Sequence, residues 1–484
     1  MSFALLFAWL LPCAAGVAVY AAFDARRAPG YWATAFGYGL VLGLLFAGAT
    51  SDLFARADTS HAMGHAWLPL LTFVVVAGVV AWRRRRVQTP APAIAPSQKM
   101  ETWKIALFCT ALASLAVRGF VAWREILLRP TFPWDAWDAW AVKSKAWFLL
   151  GHYAPFVSMG QWASNAPVES YSGPAWSYPS ALAWIQVWFA SAAGGWIEPL
   201  VNLPWLALWV GMLLAHYGQW RALGLTRMRA MAFVYFLGSL PLVTVHVALA
   251  GYADLWIAAL FGFAVLSWAR WLEQRDRNQL ALACLCVVML PWIKLEGAVW
   301  LLMFAGAAGY CSLPRHWRRS VVGMIVAIAL VGAAIGHLKI PLFGLGWVSV
   351  SLHAIEVPVI GTLAIAFHPG ALAGTVAGLF AQPSWHLLWY LAPLIVIWRW
   401  RQFRAIRAAR AVGGLLIASL AFLAFLFLFT DAAQWAESYT AINRLVMHIV
   451  PALFTLLALL LRDADLRPGL FDTAPASGSR SHPA

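Results

Sequence analysis

Apolar residues fill this chain in long blocks, separated by arginine clusters, proline or glycine turns and isolated acids. Thirteen runs lie near 3–23, 31–50, 66–82, 104–123, 199–217, 230–249, 253–272, 278–293, 297–311, 320–338, 385–398, 411–430 and 444–461. They approach the about 17–20 residues that carry a helix across a bilayer core. The alternating period of a membrane barrel is absent. The pattern predicts an all-α polytopic membrane protein with about 13 transmembrane helices. One further run, 177–195, opens on Tyr178-Pro179 and closes on Gly194-Gly195, and its length alone does not say whether it crosses.

Composition strengthens this picture. Of 484 residues, 62% are hydrophobic and 11% charged, whereas a soluble domain is nearer half apolar and one quarter charged. The formal charge of +15 bears on orientation. Basic residues recur between apolar runs instead of forming one patch, which argues against nucleic acid as a partner. Suppose that 177–195 does not cross and that Met1 starts outside. The cytoplasmic side then collects 25 of the 34 Lys and Arg, among them Arg83 to Arg86, Arg270, Arg275, Arg277 and the run Arg399 to Arg410. If 177–195 crossed, every later basic loop would flip outward. The rule that positive loops stay inside therefore makes it a juxtamembrane or re-entrant helix on the outer side.

This topology divides the chain into a three-span module (1–86), a cytoplasmic linker with Pro90, Pro92 and Pro96 (87–103), a membrane module (104–461) and a disordered cytoplasmic tail (462–484). Two large outer loops fall at 124–198 and 339–384. The first apolar run lacks a basic leader, so it reads as a first span rather than a cleaved signal. Cys13, Cys109, Cys284, Cys286 and Cys311 form no CxxC pair, which suggests neither disulfides nor a zinc site. A divalent metal stays open, but no His/Asp/Glu spacing supports one.

Most acids gather on the outer side, and the densest group is Pro133-Trp134-Asp135-Ala136-Trp137-Asp138-Ala139-Trp140. Helical phase over 135–150 puts Trp137, Trp140 and Trp147 on one face and Asp135, Asp138 and Lys145 on another. Tryptophan prefers the membrane–water interface, so the acids would face an aqueous cavity. Asp135 and Asp138 can simply start a helix, as N-cap and N3 acid. Either can also serve as general base towards an acceptor hydroxyl. Other candidates follow from cost and sidedness. Arg444 is the one arginine of the last outer segment and suits phosphate with its planar fork. Lys143 and Lys145 follow the acids and either bind phosphate or snorkel to headgroups. Asp254, beside Tyr252, sits at a span's outer end. Lys294 and Glu296 share an outer hairpin. Glu169 and Tyr171 lie in a polar, aromatic loop able to hold a sugar. His246 and His353 read as bonded interior or interfacial histidines.

Four ordered stretches resemble the GT-C glycosyltransferase superfamily, in particular bacterial members related to protein mannosyltransferases and the lipid A aminoarabinose transferase. They are the Trp-Asp segment in an outer loop, Tyr178-Pro179 leading into a helix, Gly251-Tyr252-Ala253-Asp254 at the top of a span, and Ile442-Asn443-Arg444-Leu445 ahead of Pro451. The resemblance covers about 104–461. It differs from the simplest members, where the acid loop follows the first span; here it follows the fourth. It implies a GT-C-like fold in a bacterial inner membrane with its site facing the periplasm. The implied activity moves a sugar from a polyprenyl-phosphate donor to a lipid, glycan or protein acceptor, with inversion and an aspartate base. Asp135 or Asp138 would be catalytic. Arg444, Lys143 and Lys145 would hold the donor phosphate. Asp254, Tyr252, Lys294, Glu296, Glu169, Tyr171 and Tyr178 would bind substrate. A transporter or flippase for a lipid-linked substrate is the alternative, although no paired repeat is visible. A catalytically dead assembly partner is a third reading.

Overall fold

The computed structural model describes residues 3–24, 27–87, 100–165, 169–342, 346–357 and 361–462. The expected linker lies outside the described residues over 88–99, and so does the tail beyond Arg462. The protein is a predominantly helical, multi-pass membrane protein. Among the described residues, eight helices are long and apolar enough to cross a membrane, or nine if one bent pair is counted as a span.

Prolines explain why several predicted runs are not single long helices. The run 230–249 breaks into Arg227–Ser239 and Pro241–Ala248, bent by 61°. Pro241 supplies no N–H to continue the ladder, and Leu240 before it is held extended. Pro291 likewise opens a short second helix, Leu290–Ile293, after Arg277–Val288. The run 385–398 becomes a tight turn followed by Leu388–Trp398.

The helix Asp254–Gln274, called the central helix below, organises the core. It is buried around nearly its whole circumference, as expected of a helix that is apolar all round. At about 1.5 Å per residue its 21 residues span about 30 Å, the thickness of a bilayer core. The helices Pro204–Ala222, Arg277–Val288, Arg407–Phe429 and Ile442–Leu461 pack around it. The three N-terminal helices, Phe3–Phe23, Tyr31–Phe54 and Ala62–Val87, share one apolar core with these. A close glycine crossing joins them: a Cβ on Gly37 would lie 2.3 Å from the Ala215 nitrogen. Such small residues let membrane helices approach. The helix Ala181–Ala193, within the ambiguous run, is only 13 residues long and is buried on most sides.

One part of the fold departs from the all-α expectation. The segment expected as outer loop 339–384 opens with an antiparallel meander of β3 (His337–Leu342), β4 (Gly346–Ser351), β5 (Ala354–Val357) and β6 (Gly361–Ala364). Val348, Ser349, Val350 and Ser351 alternate apolar with polar, the period of a strand. A smaller parallel pair, β1 (Phe156–Val157) with β2 (Tyr171–Ser172), lies in the first outer loop.

Candidate functional site

Charged side chains from four separated stretches meet at the N-terminal end of the central helix. Asp254 stands in that helix's first turn, where a carboxylate is favoured by the helix dipole. Arg444 stands in the first turn of Ile442–Leu461. Lys294 and Glu296 lie between Leu290–Ile293 and Gly297–Ser312. Asp135 opens the acid–tryptophan segment.

Asp254 is the hub. Its Oδ1 accepts from Lys294 Nζ at 2.9 Å and from His448 Nε2 at 3.0 Å. Its Oδ2 accepts from Arg444 Nε at 3.0 Å and Nη2 at 2.8 Å. Four donors thus fill the four acceptor positions of a carboxylate with no exposed surface, which is what a charge taken out of water requires. Trp300 Nε1 donates to His448 Nδ1 at 2.9 Å. The His448 proton must therefore sit on Nε2, facing Asp254. Lys294 also reaches Glu296 Oε1 at 3.1 Å.

Burial falls off from this hub towards the acid–tryptophan segment. The Lys294 side chain is 3% exposed, that of Arg444 18%, and that of Asp135 28%. Arg444 Nη2 donates to Asp135 Oδ2, and the guanidinium lies 4.5 Å from the Tyr252 ring centre. Its Nη1 makes no hydrogen bond among the described residues, so one edge of the fork remains open. Glu296 Oε2 is buried without a partner. With Asp135, Asp254 and Glu296 against Arg444 and Lys294, the junction carries more acid than base.

The acid–tryptophan segment does not follow the expected helical phase. Ala136–Trp140 forms a π turn, in which the Ala141 N–H donates to Ala136 O, before the α-helix Ala141–Leu150 begins. The i→i+5 turn shifts everything after it around the axis. Trp137, Trp140 and Trp147 therefore do not share a face: Trp140 and Trp147 are buried, while Trp137 is exposed and packs on Trp134. Lys145 likewise parts from Asp135: the one meets Glu198, the other Arg444. The capping reading fails as well, because Asp135 at the N-cap accepts no hydrogen bond from the turn it precedes. Its carboxylate turns to Arg444 instead. Asp138 has no ion pair or hydrogen bond among the described residues, and it is half-buried. Burial, then the neighbouring Asp135 charge, raises its pKa above the usual aspartate value.

Gly251 explains how this segment docks. Its φ is +108°, open to glycine, and a Cβ there would lie 2.3 Å from the Ala136 Cβ. A buried polar relay holds the segment's far side. Ser144 Oγ donates to Gln186 Oε1, Gln186 Nε2 to Asn202 Oδ1, and Asn202 Nδ2 to Thr131 Oγ1.

The structure thus brings together Asp135, Tyr252, Asp254, Lys294, Glu296 and Arg444, with Asp138 one turn on. Tyr178 borders them: its ring meets Trp140 edge-on at 5.3 Å, and burial and the Glu296 charge push its pKa up. The remaining candidates have other partners. Lys143 is buried and donates to the carbonyls of Trp176 and Tyr178 at 3.0 and 2.6 Å, tying down that loop, and burial pushes its pKa down to about 8. Lys145 is exposed and faces Glu198 at 3.4 Å. Glu169 pairs with His152 at 2.7 Å, and Tyr171 stacks on Phe156 in the β1–β2 corner.

Two participants were missed in the sequence, His448 and Trp300. His448 is four residues after Arg444 on one helix, hence on the same face, and a histidine inside an apolar span is itself a signal. His246 also deserves a place. It is buried edge-on to Tyr252 at 5.6 Å, Nδ1–H donates to Leu242 O, and Nε2 has no partner. Among the described residues no group of three or more His, Cys, Asp or Glu is placed to hold a metal ion. No family model, curated protein or solved structure matches this chain.

Proposed function

We propose that this junction transfers a sugar from a polyprenyl-phosphate donor to a hydroxyl of a lipid, glycan or protein acceptor, in the manner of a GT-C glycosyltransferase. The observations that carry the proposal are an Arg444 guanidinium whose Nη1 is unbonded among the described residues and, beyond its partner Asp135, the half-buried carboxylate of Asp138. A lipid phosphate brings its negative charge to such a site, and a guanidinium edge with free N–H groups is suited to receive it. Asp138 takes the proton from the acceptor hydroxyl. The acceptor oxygen attacks the anomeric carbon from the face opposite the phosphate. The bond between that carbon and the phosphate oxygen breaks, and its electron pair leaves with the lipid phosphate, whose charge Arg444 Nη1 stabilises. Asp135 and Asp254 hold the guanidinium in place for this, and His448 and Lys294 hold Asp254. With basic loops inside, the site would face the periplasm of a bacterial inner membrane.

The test is transfer of labelled sugar by the purified protein and its Asp135→Asn and Asp138→Asn variants. Loss of transfer in Asp138→Asn with normal expression is the expected result. Full activity in both variants would sink the proposal.

One observation favours a second reading. The break at Leu240–Pro241, bent by 61°, places a half-helix carrying His246 beside Tyr252, and broken helices at a binding site are a mark of transporters. Movement of an unmodified lipid-linked substrate across liposomes would support that reading.

A further inference from the structure

The opposite end of the central helix borders a separate cavity of about 990 Å³ between Gly297–Ser312 and Arg407–Phe429. Its floor is apolar, with Leu302, Met303, Ala307 and Leu415. Its rim carries four arginines, Arg275, Arg318, Arg407 and Arg410, and none of the lining residues is an acid. Carbonyls at the end of Gly297–Ser312 pin two of them. Arg318 Nη2 donates to Cys311 O at 3.0 Å and Nε to Leu313 O at 3.1 Å, and Arg407 Nη2 donates to Cys311 O at 3.2 Å. The negative end of a helix dipole favours cations there, but carbonyls do not neutralise them. Among the described residues none of the four forms an ion pair with a carboxylate. Glu273, two positions before Arg275, is engaged by Arg462 at 2.6 Å and by the Ala408 N–H at 3.3 Å.

Four guanidiniums around one opening repel each other unless an anion sits among them. A cationic rim above an apolar slot matches the shape of a charged lipid, and basic pockets between membrane helices recognise such headgroups. We infer that this cavity binds an anionic phospholipid of the surrounding leaflet. Its phosphate sits among Arg275, Arg318, Arg407 and Arg410, and an acyl chain lies along Leu302, Met303 and Leu415. The site is independent of the sugar-transfer reading, since it shares no residue with the Asp254 junction.

The test uses the full chain in phosphatidylcholine nanodiscs, with phosphatidylglycerol, further phosphatidylcholine or inorganic phosphate added. Thermal midpoint and lipids retained in native mass spectrometry are read. Phosphatidylglycerol should raise the midpoint, less so at high salt, and should be retained at least about tenfold over phosphatidylcholine, a ratio that two of the four arginines would reach at a few-fold each. Inorganic phosphate should leave the midpoint unchanged. The double variant Arg407→Gln/Arg410→Gln should lose the gain. So should Gly306→Leu, which fills the slot while keeping every arginine; a Cβ there meets nothing within 4 Å. Equal gains from phosphatidylcholine or from inorganic phosphate would overturn the inference. A gain that persists in both variants would do so too, and the wild-type arms decide even if the double variant fails to fold.

Discussion

The central helix has a buried ion-pair network at each end, and the two differ in a way that separates structure from function. At its C-terminal end Arg270 Nη1 donates to Asp24 Oδ2 at 2.8 Å and to Gln219 Oε1 at 3.1 Å, and Tyr20 donates to the same Asp24 oxygen at 2.6 Å. Gln219 continues to Tyr38, which meets Ser267 at 2.9 Å. Both members of this pair are buried, 3% and 1% exposed, and the network runs between helices. At the N-terminal end the acids outnumber the bases, burial falls off in steps to Asp135, and among the described residues Arg444 Nη1 and Glu296 Oε2 make no hydrogen bond. A pair buried on both sides joins helices. A network that reaches a partly exposed arginine and carboxylate can also meet a ligand.

The largest expected contrast comes from single changes at the two ends. Asp138→Asn should lower the turnover of sugar transfer by about 10²–10⁴-fold, the usual worth of a general base. Its thermal midpoint should barely move, since that side chain makes no hydrogen bond or ion pair among the described residues. Arg270→Met should do the opposite: destabilise the fold by about 3–5 kcal/mol, as when one partner of a buried pair is left alone, while sparing turnover of the folded fraction. Denaturation curves beside transfer rates would expose any mixing of the two effects.

Replacing both partners sharpens the comparison. Asp24→Leu/Arg270→Met should recover most of the lost stability, because a buried pair can be exchanged for apolar packing. Asp254→Leu/Arg444→Met should recover no transfer at all, whatever its stability. Recovered transfer there would reduce the N-terminal network to a second structural clamp.

A smaller effect is expected at the docking point of the acid segment. Gly251→Ala should cost about 1–3 kcal/mol through its positive φ and should also weaken transfer by pushing Ala136 away. Adding Ala136→Gly should restore transfer in part and leave the backbone cost. No rescue would mean that the two segments are not coupled through this contact.

The smallest effect is in pH. Burial and the Asp135 charge raise Asp138, so the active carboxylate forms only above the usual aspartate range, and the acid limb of the rate profile should lie there. Asp135→Asn should move that limb to lower pH in the activity that remains. The stability linkage has the matching sign. A raised carboxyl favours the folded state while protonated, and that contribution fades as pH climbs from about 3.9 to the folded value.

Much of the junction was legible because charge is costly in a greasy chain. Asp254, Arg444, Lys294 and Glu296 stood out at span ends, and Asp135 and Asp138 between tryptophans. What failed were inferences that assumed regular geometry. The π turn at 136–140 scrambles the tryptophan face; Lys145, placed by that phase, and Lys143, chosen for following the acids, bond elsewhere. Arg270 counted as one more cytoplasmic charge, since nothing local reveals that Asp24, far away in sequence, buries it. The strand period of 348–351 is short and lies inside a long outer loop, where it gives little signal. Glu169 and Tyr171 were chosen on residue type alone, and their partners His152 and Phe156 are local.

The most direct measurement follows one doubly labelled molecule, with sugar and prenyl phosphate tagged separately, in liposomes containing the purified protein and acceptor lipid. The expected result is separation of the labels, the sugar on the acceptor with inverted anomeric configuration and the prenyl phosphate free, and no separation with Asp138→Asn. Labels that stay together while the molecule crosses the bilayer, equally in both proteins, would contradict sugar transfer at the Asp254 junction.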